Sequence, residues 1–229
     1  ALEAALPLDG LVTASPSNPT GTILTSSELV DLAAFCNDHE VRMIADEIYH
    51  GITYGSEPAP TAVSHSTDAV VVQSFSKYFS MTGWRLGWLV LPPELIRPVE
   101  RLAQNLFISP PTLSQLAGVA AFDCSKELDE NVARYARNRR ILIDGLASVG
   151  IDRIAPADGA FYIYADVSDF TDDSQELSKH WLEELGVAAT SGIDFDPTNG
   201  HKFIRFSYAE STADISDATQ RIVGWMKRR

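Results

Sequence analysis

The chain has 229 residues, 45% of them hydrophobic, and its 18 Lys and Arg stand against 31 Asp and Glu for a net charge of −13. That length and apolar content provide for one large domain or two ordinary ones, each with a core. The acidic balance repels phosphodiester backbones and anionic lipid, which argues against nucleic acid and membrane as partners of this segment.

In chain order, the opening "ALEAALPLDG" lacks the basic and apolar regions of an export signal, and no run of eighteen apolar residues follows anywhere. It reads as an acidic helix end passing through Pro7 and Asp9-Gly10 into a strand, a start in mid-domain. "GLVTASP" is a short apolar strand, and "SPSNPTG" is a loop rich in breakers. "TSSELVDLAAFCNDHE" predicts a helix capped by Thr25 or Ser26, with Glu28 in its first turn and an apolar stripe of Leu29, Leu32, Ala33 and Cys36. "VRMIADEIYHG" and "AVVVQSFSK" are strands that run into polar turns, and "RLGWLVLP" is a further apolar strand. Strands alternating with helices predict an α/β layer architecture with a mostly parallel sheet.

After Pro92-Pro93 the texture changes. "ELIRPVERLAQNLF", "TLSQLAGVAAFDC" and "ELDENVARYARNRRILIDGLASVG" have helical period; "GAFYIYADVS", a helix "SQELSKHWLEELG", a strand "KFIRFSYA" and a helix from about Asp214 complete the chain. This predicts a smaller α+β domain over residues 121–229, behind a larger domain over 1–120. No repeat or low-complexity segment occurs. Cys36 and Cys124 sit far apart in segments reading as helical, so neither a disulfide framework nor a metal knuckle is expected. The five histidines, His39, His50, His65, His180 and His201, show no ligand pairing, and no metal is expected. There is no nucleophile elbow and no Walker-type phosphate loop.

In an open parallel sheet, ligands sit beyond the carboxyl ends of the strands. Three strands deliver polar residues there: Asn18 after the first, Asp46 and Tyr49 after the second, and Ser74, Ser76 and Lys77 after the third, with Arg85 close behind. An ammonium at the end of an apolar strand is costly to bury unpaired, so Lys77 needs a use. An amide, a carboxylate, a phenol, two hydroxyls, an amine and a guanidinium suit a cofactor with a basic ring nitrogen, a phenolic oxygen, an aldehyde and a phosphate.

In "SPSNPTG", "ADEIYHGITY", "SFSKYFSMTGWRLGW" and "FIRFSYAE", in that order over almost the whole chain, the sequence resembles the class I/II, fold-type I aminotransferases that use pyridoxal 5′-phosphate. The resemblance implies that residues 1–120 are the C-terminal part of the cofactor-binding large domain. It implies that Lys77 forms the aldimine with the cofactor and shuttles the proton during transfer between an L-amino acid and a 2-oxo acid. Asp46 would pair with the pyridinium nitrogen, and Asn18 and Tyr49 would hydrogen-bond the phenolic oxygen. Arg85 and Ser74 would hold the phosphate, with Gly83 and Gly87 letting the backbone approach; Ser76 either shares that task or faces away. Arg205 would grip the substrate's α-carboxylate, which Asn18 also faces, and Gly159 to Tyr162 would line the same cavity.

Several of these have a plainer alternative. Lys77 would be a surface lysine after a strand. Asp46 would cap a helix, Asn18 would serve an Asn-Pro turn, Tyr49 and the 159–162 strand would be core, and Arg205 would pair or pack. The Asn18-Pro19 peptide is a candidate for the cis form.

Family members also carry an upstream part of the large domain with a phosphate-binding turn, so the chain reads as a C-terminal portion, expected to bind cofactor weakly by itself. The resemblance further implies a cytoplasmic two-fold homodimer with residues 109 to 112 at the contact. Dicarboxylate-specific members have an arginine shortly before that turn, where this chain has Asn105. Two other functions fit the same scaffold: a C–S lyase or synthase, and a sensor domain behind a DNA-binding module.

Overall fold

A computed structural model describes residues 2–228. The chain divides into two compact units, one holding the residues up to Pro16 and Ile23–Leu128, the other Ser17–Thr22 and the residues from Asp129 on.

The first unit contains β1 (Gly10–Ala14), α1 (Ser26–Asp38), β2 (Arg42–Asp46), β3 (Val70–Ser74), β4 (Gly87–Val90), α2 (Pro93–Leu106) and α3 (Thr112–Ala121). The sheet order is β1-β2-β3-β4. The first three strands are parallel, with Ala14 opposite Asp46 and Asp46 opposite Val72, so their carboxyl ends share one edge. β4 is antiparallel and sets Gly87 opposite Ser74. Between β3 and β4 the chain makes only turns and a short 3₁₀ turn at Thr82–Trp84, with no helix to carry it back to the other edge. A Cβ on Gly87 would lie 2.6 Å from the Gln73 carbonyl oxygen, so this strand start needs glycine for close approach.

α1 forms where the sequence predicts it, and Thr25 is the cap. Its hydroxyl accepts from the Glu28 N–H at 3.2 Å, while the Glu28 carboxylate accepts from the Thr25 N–H at 2.8 Å. Leu29 and Cys36 bury their side chains against Val41, Met43, Ala45 and Val71, with Leu32 partly buried beside them, and Ala33 is buried too. Phe75 and Met81 form a second cluster with Phe79, Leu86, Ala117 and Ala121. Phe75 meets Trp88 and Phe122 edge-on, with ring centroids 5.1 and 5.7 Å apart. The turn carrying Lys77 is therefore pinned by aromatic rings on both sides of the lysine.

The chain passes to the second unit within α4 (Ser125–Ala147), followed by β5 (Tyr162–Asp166), α5 (Ser174–Leu185), β6 (Thr190–Ser191), β7 (Phe203–Ser207) and α6 (Thr212–Met226). The sheet is antiparallel in the order β5-β7-β6, and Arg205 in the middle strand lies opposite Tyr164 on one side and Thr190 on the other. Ile204 and Phe206 alternate with it and are buried in a core that includes Ile163, Trp181, Ile222 and Trp225. The two-residue β6 is too short to leave a periodic signal. Cys124 lies in the turn between α3 and α4, exposed, and not in a helix; Cys36 is buried in α1. Among the described residues no helix is long and apolar enough to cross a membrane.

Candidate active site

At the carboxyl edge of the first unit's sheet lies a cleft of 520 Å³ lined by Asp46, Ser74, Ser76, Lys77 and Arg85, with Gln73, Thr82 and Gly87. The register brings them together, since Asp46 ends β2, Ser74 ends β3, and Gly87 opens β4 directly opposite Ser74. Asp46 does act as a cap, but of a turn: its Oδ1 accepts from the Ile48 N–H at 3.1 Å, which fixes the carboxylate. The Ser74 hydroxyl accepts from the Ser76 N–H at 3.0 Å and keeps its own proton to donate. Lys77 Nζ sits 5.1 Å from the centroid of the buried Tyr49 ring.

Arg85 adopts a left-handed backbone, φ 51°, and its Nη1 donates to the Thr82 carbonyl at 3.0 Å. Thr82 in turn donates its hydroxyl to the Ser76 carbonyl at 2.7 Å, a strap between the two ends of the lysine turn. A Cβ on Gly83 would meet nothing within 4 Å, so of the two glycines only Gly87 makes a close approach, to β3.

Behind this edge is a polar cluster that sequence reasoning missed. Glu47, 3% exposed, accepts from the Ala62 N–H at 2.7 Å, the Thr61 hydroxyl at 2.8 Å and the Gln73 amide at 3.3 Å. His50 Nδ1 lies 3.5 Å from the same carboxylate. Burial holds the His50 imidazole below its ordinary pKa, against the opposing pull of the Glu47 charge and a hydrogen bond with the Ser15 backbone. The available signal was the adjacent acid pair Asp46-Glu47 after an apolar strand, whose alternation sends the two side chains to opposite sides.

Asn18 and Arg205 belong to the second unit and are brought together there. Arg205 Nη1 donates to Asn18 Oδ1 at 2.9 Å and Nη2 to Thr190 Oγ1 at 3.2 Å. The guanidinium carbon lies 4.5 and 4.8 Å from the ring centroids of Tyr162 and Phe195. Its buried Nε has no hydrogen-bond partner, and among the described residues no carboxylate pairs with it. Of the 159–162 segment, Tyr162 is the residue that meets Arg205; Ala160 and Tyr162 are buried. The Asn18–Pro19 peptide is cis.

The donor set in the first unit's cleft fits pyridoxal 5′-phosphate. A guanidinium and two hydroxyls suit a phosphate, an amine suits an aldehyde, and a carboxylate whose direction is fixed by Ile48 suits a ring N–H.

The family model described as aminotransferase class I and II matches residues 1–222. The chain belongs to that family. Among aminotransferases it is 52% identical over 223 residues to the valine–pyruvate aminotransferase of Mycobacterium tuberculosis, covering 96% of this chain and 58% of that protein. It is 34% identical to the aspartate/prephenate aminotransferase of Thermus thermophilus, covering 92% of this chain and 54% of the other. The crystal structure of an aminotransferase from Mycobacterium tuberculosis superposes with a TM-score of 0.94 at 51% identity, covering 98% of this chain and 59% of that one. The chain thus spans somewhat over half the length of these aminotransferases.

Proposed function

We propose that the protein is a pyridoxal 5′-phosphate-dependent aminotransferase that moves an amino group between an L-amino acid and a 2-oxo acid. The observation that carries this reading is the grouping of Lys77, Asp46, Ser74, Ser76 and Arg85 around one cleft at the carboxyl edge of a parallel sheet. When bound, the cofactor supplies an electrophilic aldehyde and a pyridine ring that accepts electrons from the substrate Cα.

In this reading Lys77 would hold the cofactor's aldehyde through its amine, the aldehyde oxygen leaving as water, and would carry the proton to and from the substrate Cα. Asp46, fixed by Ile48, keeps the ring nitrogen protonated. The Tyr49 hydroxyl donates to the phenolic oxygen, and Arg85, Ser74 and Ser76 hold the phosphate. Asn18 commits its Oδ1 to Arg205, which leaves its NH₂ end to donate. Arg205 takes the α-carboxylate: an arginine beside two aromatic rings, with hydrogen bonds but no carboxylate partner among the described residues, suits an incoming anion.

Valine with pyruvate is the substrate pair we propose, supported by the name of the relative that is 52% identical. The side chain of Asn105, at the position discussed for dicarboxylate binding, bonds the Arg101 carbonyl at 2.7 Å, and it carries no charge for a second carboxylate. A cytoplasmic homodimer belongs to the same proposal; the exposed apolar residues Leu106, Phe107, Ile108 and Leu113 flanking Ser109 to Thr112 support its dimeric part. The test is an amino-transfer assay of the whole protein with valine and a panel of 2-oxo acids. Formation of alanine from pyruvate with matched loss of valine is expected. Release of ammonia without an acceptor would instead indicate a lyase.

A further inference from the structure

Glu47 is not among the residues that line the cleft, yet it is buried next to Asp46 and gathers donors from two distant parts of the first unit. The Ala62 N–H and Thr61 hydroxyl reach it from the turn after the Gly51 segment and Gln73 from β3, while the His50 imidazole lies 3.5 Å away. Its backbone N–H also donates to the Val72 carbonyl at 3.0 Å. A buried carboxylate is a poor way to stabilise a fold, because an apolar side chain of similar volume serves as well without the desolvation cost. What such a network does provide is fixed geometry.

The geometry at stake is that of the cleft. Glu47 stands between Asp46 and Ile48, the two residues joined by the bond that aims the Asp46 carboxylate, and two places before Tyr49, whose ring faces Lys77. Its partner Gln73 directly precedes Ser74. We propose that Glu47 is a positioning residue whose buried carboxylate clamps the end of β2 to β3 and so sets the directions in which Asp46 and Tyr49 meet the cleft. The functional half of this inference rests on the cofactor reading above.

The test has two arms, so that a failure of this inference and a failure of the cofactor reading give different results. In the first, amide hydrogen exchange is measured by NMR on the whole protein without cofactor, for the wild type, Glu47→Gln, Glu47→Ala and the milder Thr61→Val. Exchange at Ile48 and Ala62 is expected to accelerate by about tenfold in Glu47→Ala, and less in Thr61→Val, with Met43 and Val71 unchanged. Unchanged exchange at Ile48, or equal acceleration at every amide, would overturn the clamp. If Glu47→Ala does not fold, Glu47→Gln and Thr61→Val carry the comparison.

In the second arm, pyridoxal 5′-phosphate is titrated into the same proteins. Glu47→Gln is expected to weaken binding by about tenfold, in the range usual for outer hydrogen-bonding partners of a site, and to shift the pH midpoint of the bound cofactor's visible absorption band. A lowered melting temperature with the same affinity and midpoint would overturn the positioning role. If the wild type binds no cofactor while Ile48 behaves as expected, the cofactor reading falls and the clamp stands.

Discussion

Asn18 Oδ1 accepts a hydrogen bond from Arg205 Nη1 at 2.9 Å, joining residues that lie 187 apart in sequence. With Thr190 on the other nitrogen and the Tyr162 and Phe195 rings close by, the guanidinium is positioned before any substrate arrives. Preorganisation of this kind suits the carboxylate-binding role proposed for Arg205. Replacement of Arg205 by Lys keeps the charge and loses the fork. The KM for valine is expected to rise by about tenfold to a hundredfold, the value of a charged hydrogen bond, with a smaller fall in kcat. Steady-state kinetics check this, and an unchanged KM would remove Arg205 from carboxylate binding.

The start of β4 depends on the absence of a side chain at Gly87, where a Cβ would lie 2.6 Å from a backbone oxygen of β3. Gly87→Ala must push the two strands apart, and overpacking of this kind costs about 1–3 kcal/mol. Urea denaturation of the variant is expected to show that loss. Because Ser74 stands opposite Gly87, cofactor affinity should fall with it.

The capping box at Thr25 and Glu28 is a separable element far from the cleft residues in sequence. Thr25→Ala removes the acceptor for the Glu28 N–H and is expected to cost about 1 kcal/mol, with cofactor binding unaltered. Equal midpoints in urea for the two proteins would mean that the box contributes nothing.

His50 gives a pH dependence with a definite sign. Its folded-state pKa lies below the ordinary 6.5, with burial the largest cause, so as pH falls the unfolded chain takes up the proton first. Stability is therefore insensitive to this group above 6.5 and is lost as pH drops below it, toward the lower folded value. Comparison of the wild type and His50→Gln by urea denaturation at mildly alkaline and mildly acidic pH is expected to show a steeper loss in the wild type. Asp166 acts in a different window. Burial opposes its ionisation, but hydrogen bonds from Arg153 and Ser168 bring it to about 2, so its contribution is present above 3.8 and lost only as pH falls toward 2.

Much of this arrangement was legible in the sequence because each feature rests on a local rule. β1, β2 and β3 announce themselves as short apolar runs closed by turn residues, and the rule that ligands gather at strand carboxyl ends selects Asp46, Ser74 and Lys77. The direction of β4 was not legible, since an apolar run has the same period whichever way it points. Nor were Glu47, Thr61 and Gln73, which become a network only when β2, β3 and a distant turn come together. Thr190 is a similar case: it matters because β6 pairs with β7 beside Arg205, and a two-residue strand leaves no pattern to read. The helix of "AFDC" stops before Cys124 because the chain turns there from α3 into α4.

The central claim is that Lys77 is the residue to which the cofactor becomes attached. The whole protein and its Lys77→Arg variant would each be incubated with pyridoxal 5′-phosphate, treated with borohydride, digested and examined by mass spectrometry. The account predicts the cofactor fixed to the peptide containing Lys77 in the wild type, no label in the variant, and loss of amino transfer with it. Label on another lysine, or transfer undiminished in Lys77→Arg, would contradict it.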